Sequence, residues 1–433
     1  MRSKRDLTIR FRKPEFETFA IAYLVIGYVV HIFNLTVRHF ITNTHKLDTL
    51  FVYALLMLLL AMVIREAISR IKAWQVLGLL AEIVILVLFM LASSDSETHR
   101  IVLSRVLTDC IPIFFCGVCI YDYGKVRDGL IRMMTVIPYC YLLMTVLFGL
   151  NTLAEGEGYS QSDSYTMLFL SVVLTSALFE KFSIKHLIPL GISVFYMVAY
   201  GARGPIACWL LFVVLQMIVR LNRERILNQI GFIAFIGIVG AIVLKYYYSI
   251  LLWLQKTLDQ LGFSIRVADR LLQKSFFEDK GRNRIADICL ERIKENPIIG
   301  TGPVNDRIYI TSHLGGGESA VGNYPHNIFL EFLMQYGVIL GGVLLLLIAW
   351  TIFKSYRVSP DASSKAFILI LVGTYLFPLF FSGSYLDYRG FYLLMAVCIT
   401  TLINCRKAQS SKQGVSHCGE DQSIPFETME SNS

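Results

Sequence analysis

Twelve long apolar runs, joined mostly by short polar connections, constrain this chain more than any other feature. They lie near residues 17 to 34, 49 to 64, 74 to 92, 103 to 121, 130 to 150 and 166 to 179, and then 185 to 200, 205 to 219, 230 to 254, 337 to 353, 366 to 382 and 386 to 403. About 20 apolar residues cross a bilayer as a helix. Backbone in lipid must satisfy its own hydrogen bonds, which leaves helices or closed barrels. Barrel strands alternate apolar and polar residues, and these runs do not. The fold class is therefore an all-α polytopic integral membrane protein with about twelve transmembrane helices. Composition agrees, at 55% hydrophobic and 17% charged, against about 45–50% and 25% in soluble domains. That excludes a soluble enzyme, a coiled coil and a disordered chain.

The net charge of +8 follows sidedness and does not point to nucleic acid. On the alternate connections that include the N-terminus there are twenty-three Lys and Arg, from Arg2 to Lys412, whereas the short connections of the other set hold only Arg38, Lys46, Arg100, Arg105, Arg203 and Arg389. The basic side is the cytoplasmic one, so both termini are expected inside. No small-x-small cleavage site follows the first run, which is read as retained. Most of the nine cysteines sit in apolar runs and only Cys289 falls in a long polar loop. A disulfide framework or cysteine zinc site is not expected.

One connection is long. A basic segment, 1–16, precedes helices 1–9 over 17–254; a large outer loop spans 255–326; helices 10–12 occupy 327–403; and a polar, Ser-rich tail, 404–433, reads as disordered. The loop holds helix-like stretches from Ile265 to Lys274 and from Arg284 to Glu295, then a Gly-rich part from Gly300 to Gly322. A loop of this length in a compact domain is usually functional.

Charged groups gather on the outer side. Arg203 stands in the turn Tyr200-Gly201-Ala202-Arg203-Gly204-Pro205, Arg282 and Arg284 open the second helix-like stretch, and Arg389 follows Asp387 at the last span. Guanidinium groups keep their charge and match phosphate oxygens with a planar fork, so convergent arginines suit a diphosphate; snorkelling anchors are the other reading. His326 lies in Tyr324-Pro325-His326-Asn327-Ile328-Phe329-Leu330-Glu331, at the mouth of the tenth span. An unperturbed imidazole, with a pKa of about 6.5, can take a proton from a hydroxyl near neutral pH, or merely cap the helix. His326 and Glu331 are not spaced as a zinc motif, and no metal or cofactor is expected. Lys245 beside Tyr246 to Tyr248 suits either a lipid phosphate or an aromatic belt. Glu82 and Asp109 are intramembrane carboxylates, read as interhelical hydrogen bonds or a proton path. Gly300-Thr301-Gly302 lacks the rest of a dinucleotide loop, and Gly315 to Ser319 is not a nucleophile elbow.

In their order along the chain, the Gly-Ala-Arg203-Gly turn, the stretch Gly281-Arg282-Asn283-Arg284 leading to Glu295-Asn296-Pro297-Ile298-Ile299-Gly300-Thr301-Gly302, and Tyr324-Pro325-His326-Asn327 before Tyr336-Gly337 resemble the bacterial O-antigen polymerase and O-antigen ligase superfamily. The resemblance implies a GT-C-like, metal-independent, inverting glycosyltransferase of the bacterial cytoplasmic membrane with a large periplasmic loop between helices 9 and 10. It implies a glycan on undecaprenyl diphosphate as substrate, membrane lipid as surroundings, flippase and chain-length regulator proteins as partners, and no nucleic acid. Carried onto this chain, Arg203 and Arg284, with Arg282 in reserve, hold the leaving diphosphate and His326 deprotonates the acceptor. Arg389, Asp387, Glu331 and Lys245 are accessory candidates. Polymerisation of lipid-linked repeats is the expected activity. Ligation to lipid A core is the alternative, which the short Arg203 turn favours, and a lipid-linked sugar flippase or transporter is a third reading.

Overall fold

A computed structural model describes residues 15–40, 45–93, 95–148, 161–200, 203–221, 280–315 and 319–418, and the single residues 249, 252 and 256. Among the described residues the structure is helical and contains no strand. In chain order the helices are α1 (Phe16–Phe40), α2 (His45–Arg70), α3 (Ala73–Ala92), α4 (Ser96–Arg105), α5 (Ile111–Cys119), α6 (Tyr123–Phe148), α7 (Gln161–Glu180), α8 (Ile184–Ala199), α9 (Arg203–Leu221), α10 (Lys280–Glu295), α11 (Asn305–Leu314), α12 (Ile328–Val358), α13 (Ala362–Leu371) and α14 (Arg389–Cys418).

Among the described residues seven helical stretches are long and apolar enough to cross a membrane: Ala73–Ala92, Ser96–Cys119, Tyr123–Leu147, Gln161–Glu180, Arg203–Arg220, Ile328–Val358 and Ala362–Phe380. Shorter apolar helices lie at Phe16–Ile32, Ile184–Ala199 and Arg389–Cys405. The chain is an integral membrane protein. Apart from residues 249 and 252, its ninth apolar run, 230 to 254, falls outside the described residues, as do the stretch Ile265 to Lys274 and Lys245. Helix α14 continues to Cys418, past the boundary at 404 that polarity suggests for a disordered tail. Arg406, Lys407, Ala408 and Gln409 are good helix formers, so the backbone extends the helix beyond its apolar part.

Helix α7 is the centre of the bundle, buried at every residue from Met167 to Ala177. A helix that is apolar all round belongs inside, and its hydroxyls are spent on neighbours: Ser164 donates to the Met197 carbonyl at 3.0 Å, and Thr175 accepts from the Trp209 indole at 2.9 Å. Helices α3 and α12 are the opposite case. Leu77, Val84, Leu88, Ile339, Leu346 and Phe353 on them are exposed, as a lipid-facing surface requires. Glu82 on α3 accepts a hydrogen bond from the Tyr392 hydroxyl on α14, which joins two helices.

Two spans are interrupted in the same way. Between α4 and α5 the turn Val106–Cys110 widens to π geometry before Pro112, and between α13 and the 3₁₀ turn Phe377–Phe380 the turn Val372–Leu376 does so before Pro378. Proline has no N–H and crowds the preceding turn, and an i+5 turn gives the ring room. Single π turns of this kind frequently mark functional sites.

The long connection builds a small unit of its own. Ile285, Ile288 and Cys289 of α10 pack with Ile310 of α11 and Met334 of α12 in a second apolar cluster. The helix expected from Arg284 starts one turn earlier, at Lys280, and the Gly-rich stretch also holds a helix, α11.

Candidate active site

Segments far apart in the sequence converge on three backbone carbonyls. After Pro378 the chain turns sharply, and the N–H groups of Phe381, Ser382 and Gly383 all donate to the Pro378 oxygen, at 3.0, 2.8 and 3.1 Å. The carbonyls beyond the end of that helix have no helical partner. Side chains take them instead. Asn327 Nδ2 donates to Phe380 O at 3.3 Å, Arg282 Nη1 to Phe381 O at 2.9 Å, and the Tyr324 hydroxyl to Ser382 O at 2.7 Å. His326 Nδ1 lies 3.4 Å from the same Ser382 oxygen. The start of α9 approaches from the other side: a Cβ on Gly204 would lie 2.5 Å from the Tyr165 hydroxyl and 3.8 Å from Phe381 Cβ. Glycine beside Arg203 is therefore a packing requirement.

His326 is held in an unusual backbone state, with φ of 55°. Left-handed geometry costs a non-glycine residue about 1–3 kcal/mol and is concentrated at functional sites. Asn327 next to it caps α12, its side-chain oxygen accepting from the N–H groups of Phe329 and Leu330 at 2.9 and 3.2 Å. The Tyr324 ring stands 4.2 Å from the imidazole, tilted by 49°.

The glycines of the loop serve α12 directly. Gly337 interrupts that helix with φ 77° and ψ 170°, which frees two carbonyls of the preceding turn. The extended segment after Pro297 fills the gap: Thr301 N donates to Met334 O and Gly302 N to Gln335 O, both at 2.8 Å, while Val338 N donates to Pro297 O at 2.7 Å. A Cβ on Gly300 would lie 2.5 Å from Gln335 O, and one on Gly337 2.1 Å from Ile298 O. The two backbones touch, and neither position admits a side chain.

Beneath the hub lies a buried ionic group. Arg307, 0% exposed, donates to Val321 O at 2.8 Å, to Ser384 Oγ at 2.9 Å and to Asp387 Oδ1 at 3.2 Å. Arg105 reaches Asp387 Oδ2 at 2.9 Å. Glu331 is fully buried and accepts from Ser384 Oγ and, at 3.3 Å, from Tyr385 N. Burial opposes the charge on Arg307, but Asp387 and Asp306 outweigh it and hold the guanidinium more firmly protonated than usual. Asp306 is fully buried, and neither carboxylate oxygen has a hydrogen-bond partner among the described residues. Burial lifts its pKa above the ordinary carboxylate range, against the pull of Arg307.

Next to the hub opens a cavity of about 680 Å³, walled by α1, the start of α7, the π turn before Pro378 and the segment Ser382 to Gly390. Tyr324, Ser382, Arg105, Asp163, Asp387 and Arg389 line it.

The structure thus brings Arg282, His326 and the start of α9 that begins with Arg203 to one segment, Phe380 to Ser382. Arg284 turns elsewhere and donates to His313 O at 3.2 Å. Arg389 and Asp387 line the cavity, Glu331 braces its floor, and Lys245 lies outside the described residues. Among the described residues no three His, Cys, Asp or Glu side chains are grouped as metal ligands are.

Residues 188–347 match the family model described as O-antigen ligase. Over that stretch the chain is similar to the O-antigen ligases. No curated protein matches the chain. The matched stretch runs from α8 into α12 and contains Arg203, Arg282, the glycine interlock and His326; the carbonyl hub and most of the cavity wall lie beyond it. The match supports the resemblance to the O-antigen polymerase and ligase superfamily, whose members act in polysaccharide assembly.

Sequence reasoning missed Arg307, Arg105 and the hub carbonyls. Arg307 carried a signal, as the only arginine in Gly300 to Gly322 and directly after an aspartate. The carbonyls carry none, since backbone acceptors are invisible until Pro378 is seen to collect three N–H groups.

Proposed function

We propose that this protein polymerises oligosaccharide repeat units carried on undecaprenyl diphosphate, by inverting, metal-independent transfer at the face of the membrane where the loop lies. The observation that carries the reading is the meeting of Arg282 and His326 on the carbonyls of Phe381 and Ser382, with Gly204, next to Arg203, packed close to Phe381. Negative charge develops on the leaving diphosphate as the glycosidic bond breaks. Fixed guanidinium groups in a partly dry site stabilise that charge. Arg203 and Arg282 serve this role, whereas Arg284 is engaged by His313 O.

His326 is the base. A proton on Nδ1 donated toward Ser382 O fixes the tautomer in which Nε2 accepts a proton from the acceptor hydroxyl. The acceptor oxygen then attacks the anomeric carbon as the carbon–oxygen bond to diphosphate breaks, so the proton ends on His326 and the electron pair on the diphosphate. Flippase and chain-length regulator proteins would supply the substrate and set product size.

Ligation to a lipid A core is the second reading, favoured by the short passage from α8, ending at Ala199, to α9, starting at Arg203. Product size decides between them. Purified protein in proteoliposomes is given undecaprenyl-diphosphate-linked repeats with no other acceptor, beside His326→Ala. A ladder of longer lipid-linked glycans, absent from the variant, is the expected result. Transfer only after a lipid A core is added makes the protein a ligase; no transfer to either acceptor removes the reading.

A further inference from the structure

The cavity beside the hub has an assignable ligand. Arg389 opens α14 and is exposed to the cavity, and among the described residues it makes no hydrogen bond or ion pair. It stands at the N-terminus of a 30-residue helix, where the macrodipole already contributes about half a positive charge. A cation is misplaced there unless an anion joins it. Asp387, two residues before, is not that anion, because Arg307 and Arg105 hold both of its oxygens.

The cavity also has an aromatic lining. Tyr28 and Phe169 lie 6.4 Å apart, Phe169 and Tyr375 5.8 Å, and Tyr375 and Tyr388 6.2 Å, which makes a continuous row of rings. Gly390 lets the row reach the helix, since a Cβ there would fall 2.0 Å from the Tyr375 ring. Thr374 also lines the cavity, is 3% exposed, and its hydroxyl has no hydrogen-bond partner among the described residues. Flat apolar faces with a few fixed polar groups suit a sugar ring, which presents C–H faces and hydroxyl edges.

Position narrows the choice. Tyr324 and Ser382 belong to the cavity wall and also meet at the oxygen that His326 approaches. What lies in the cavity therefore lies beside the base. In chain extension that is the sugar bearing the attacking hydroxyl, which is the sugar farthest from its own carrier diphosphate. An anion in the same cavity must be borne by a sugar.

We propose that this cavity is the acceptor-glycan site and that Arg389 makes it selective for a sugar carrying a carboxylate. The proposal rests on the glycosyl-transfer reading above and adds the class of acceptor. A uronic acid presents a planar carboxylate to the guanidinium fork, a two-bond pairing that a neutral sugar lacks.

The test is binding, measured apart from turnover. Full-length protein in nanodiscs is titrated calorimetrically with digalacturonic acid, with its neutral counterpart galactobiose, and with inorganic pyrophosphate. The expected result is that digalacturonic acid binds at least tenfold tighter than galactobiose, that Arg389→Gln erases the difference, that Arg389→Lys keeps part of it, and that His326→Ala retains it. Equal binding of the two sugars to the unaltered protein overturns the proposal and needs no variant, so a poorly folded Arg389→Gln leaves the test intact. Displacement of digalacturonic acid by pyrophosphate at lower concentration, dependent on Arg389, also overturns it and assigns the cavity to the carrier diphosphate. Discrimination without any glycan ladder removes the polymerase reading and leaves the anion-selective cavity; a ladder without discrimination does the reverse.

Discussion

Arg307 shows how much can hang on one side chain. It enters the site from α11, touches no candidate substrate position, and holds Ser384 and Asp387 where they form the cavity floor. Removing one partner of a buried ionic group leaves the others uncompensated, at a cost of about 3–5 kcal/mol. Arg307→Ala should therefore lower the thermal midpoint sharply in detergent, and pairing Arg307→Met with Asp387→Leu should recover part of the loss; a midpoint equal to the parent's after Arg307→Ala removes the bracing role. Asp306 gives a pH signature. Its folded-state pKa is raised above the unfolded value, so its contribution to stability is complete below the ordinary aspartate range and is lost as pH rises through the raised value. Thermal midpoints measured from pH 4 to 8 should fall less for Asp306→Asn than for the parent, and an equal slope would contradict the assignment. His326 was legible as a residue because its neighbours Pro325 and Asn327 punctuate a helix start. Its left-handed backbone was not, since that follows from the tertiary contacts of Tyr324 and Asn327 with Ser382 and Phe380.

At the scale of elements, the interlock between the loop and α12 explains why two glycine-bearing stretches some forty residues apart belong together. Gly300-Thr301-Gly302 looked like an incomplete dinucleotide loop, and Tyr336-Gly337 entered only as part of the resemblance. Each is half of one backbone junction. Gly337→Ala brings a methyl to within 2.1 Å of Ile298 O at a φ that alanine rarely adopts, and should destabilise the protein by at least about 2 kcal/mol. Transfer should fall with it, because the junction sets where α12, and so His326, begins. Unchanged thermal unfolding of Gly337→Ala would falsify the junction's importance. Seven of the spans read from apolar length are helices long enough to cross a membrane among the described residues, including the fourth run with Asp109 and Pro112. The π turn that lets a proline-bearing run stay helical was not, because spacing in the sequence does not report an i+5 bond. Helix α11 was hidden for another reason: a ten-residue helix whose apolar residues gather on no one face gives no periodic signal.

For the molecule as a whole, membrane class follows directly from composition and run length, and the lipid-facing leucines of α3 and α12 are the structural counterpart. Orientation rests on the distribution of Lys and Arg. Ser312 of the loop and Lys354 near the end of α12 are both exposed and belong to opposite sides in that account. In a cysteine-free background, Ser312→Cys should react with a membrane-impermeant maleimide added outside the cytoplasmic membrane and Lys354→Cys only after lysis; the reverse pattern would invert the topology. The site is assembled from both ends of the chain, α1, α4 and α7 supplying cavity walls and α13 to α14 the hub. No local motif shows that assembly, and the family match covers only part of it.

The most direct measurement of the central claim, that His326 takes the proton of the acceptor hydroxyl while arginines hold the donor, is single-turnover transfer of one lipid-linked repeat as a function of pH, with and without His326→Ala. The account predicts that the rate of the parent falls as pH drops through the imidazole range, and that His326→Ala is slower by about 10²–10⁴, has no acid limb and keeps its donor concentration dependence. A variant that transfers at the parent rate with the same acid limb would contradict it.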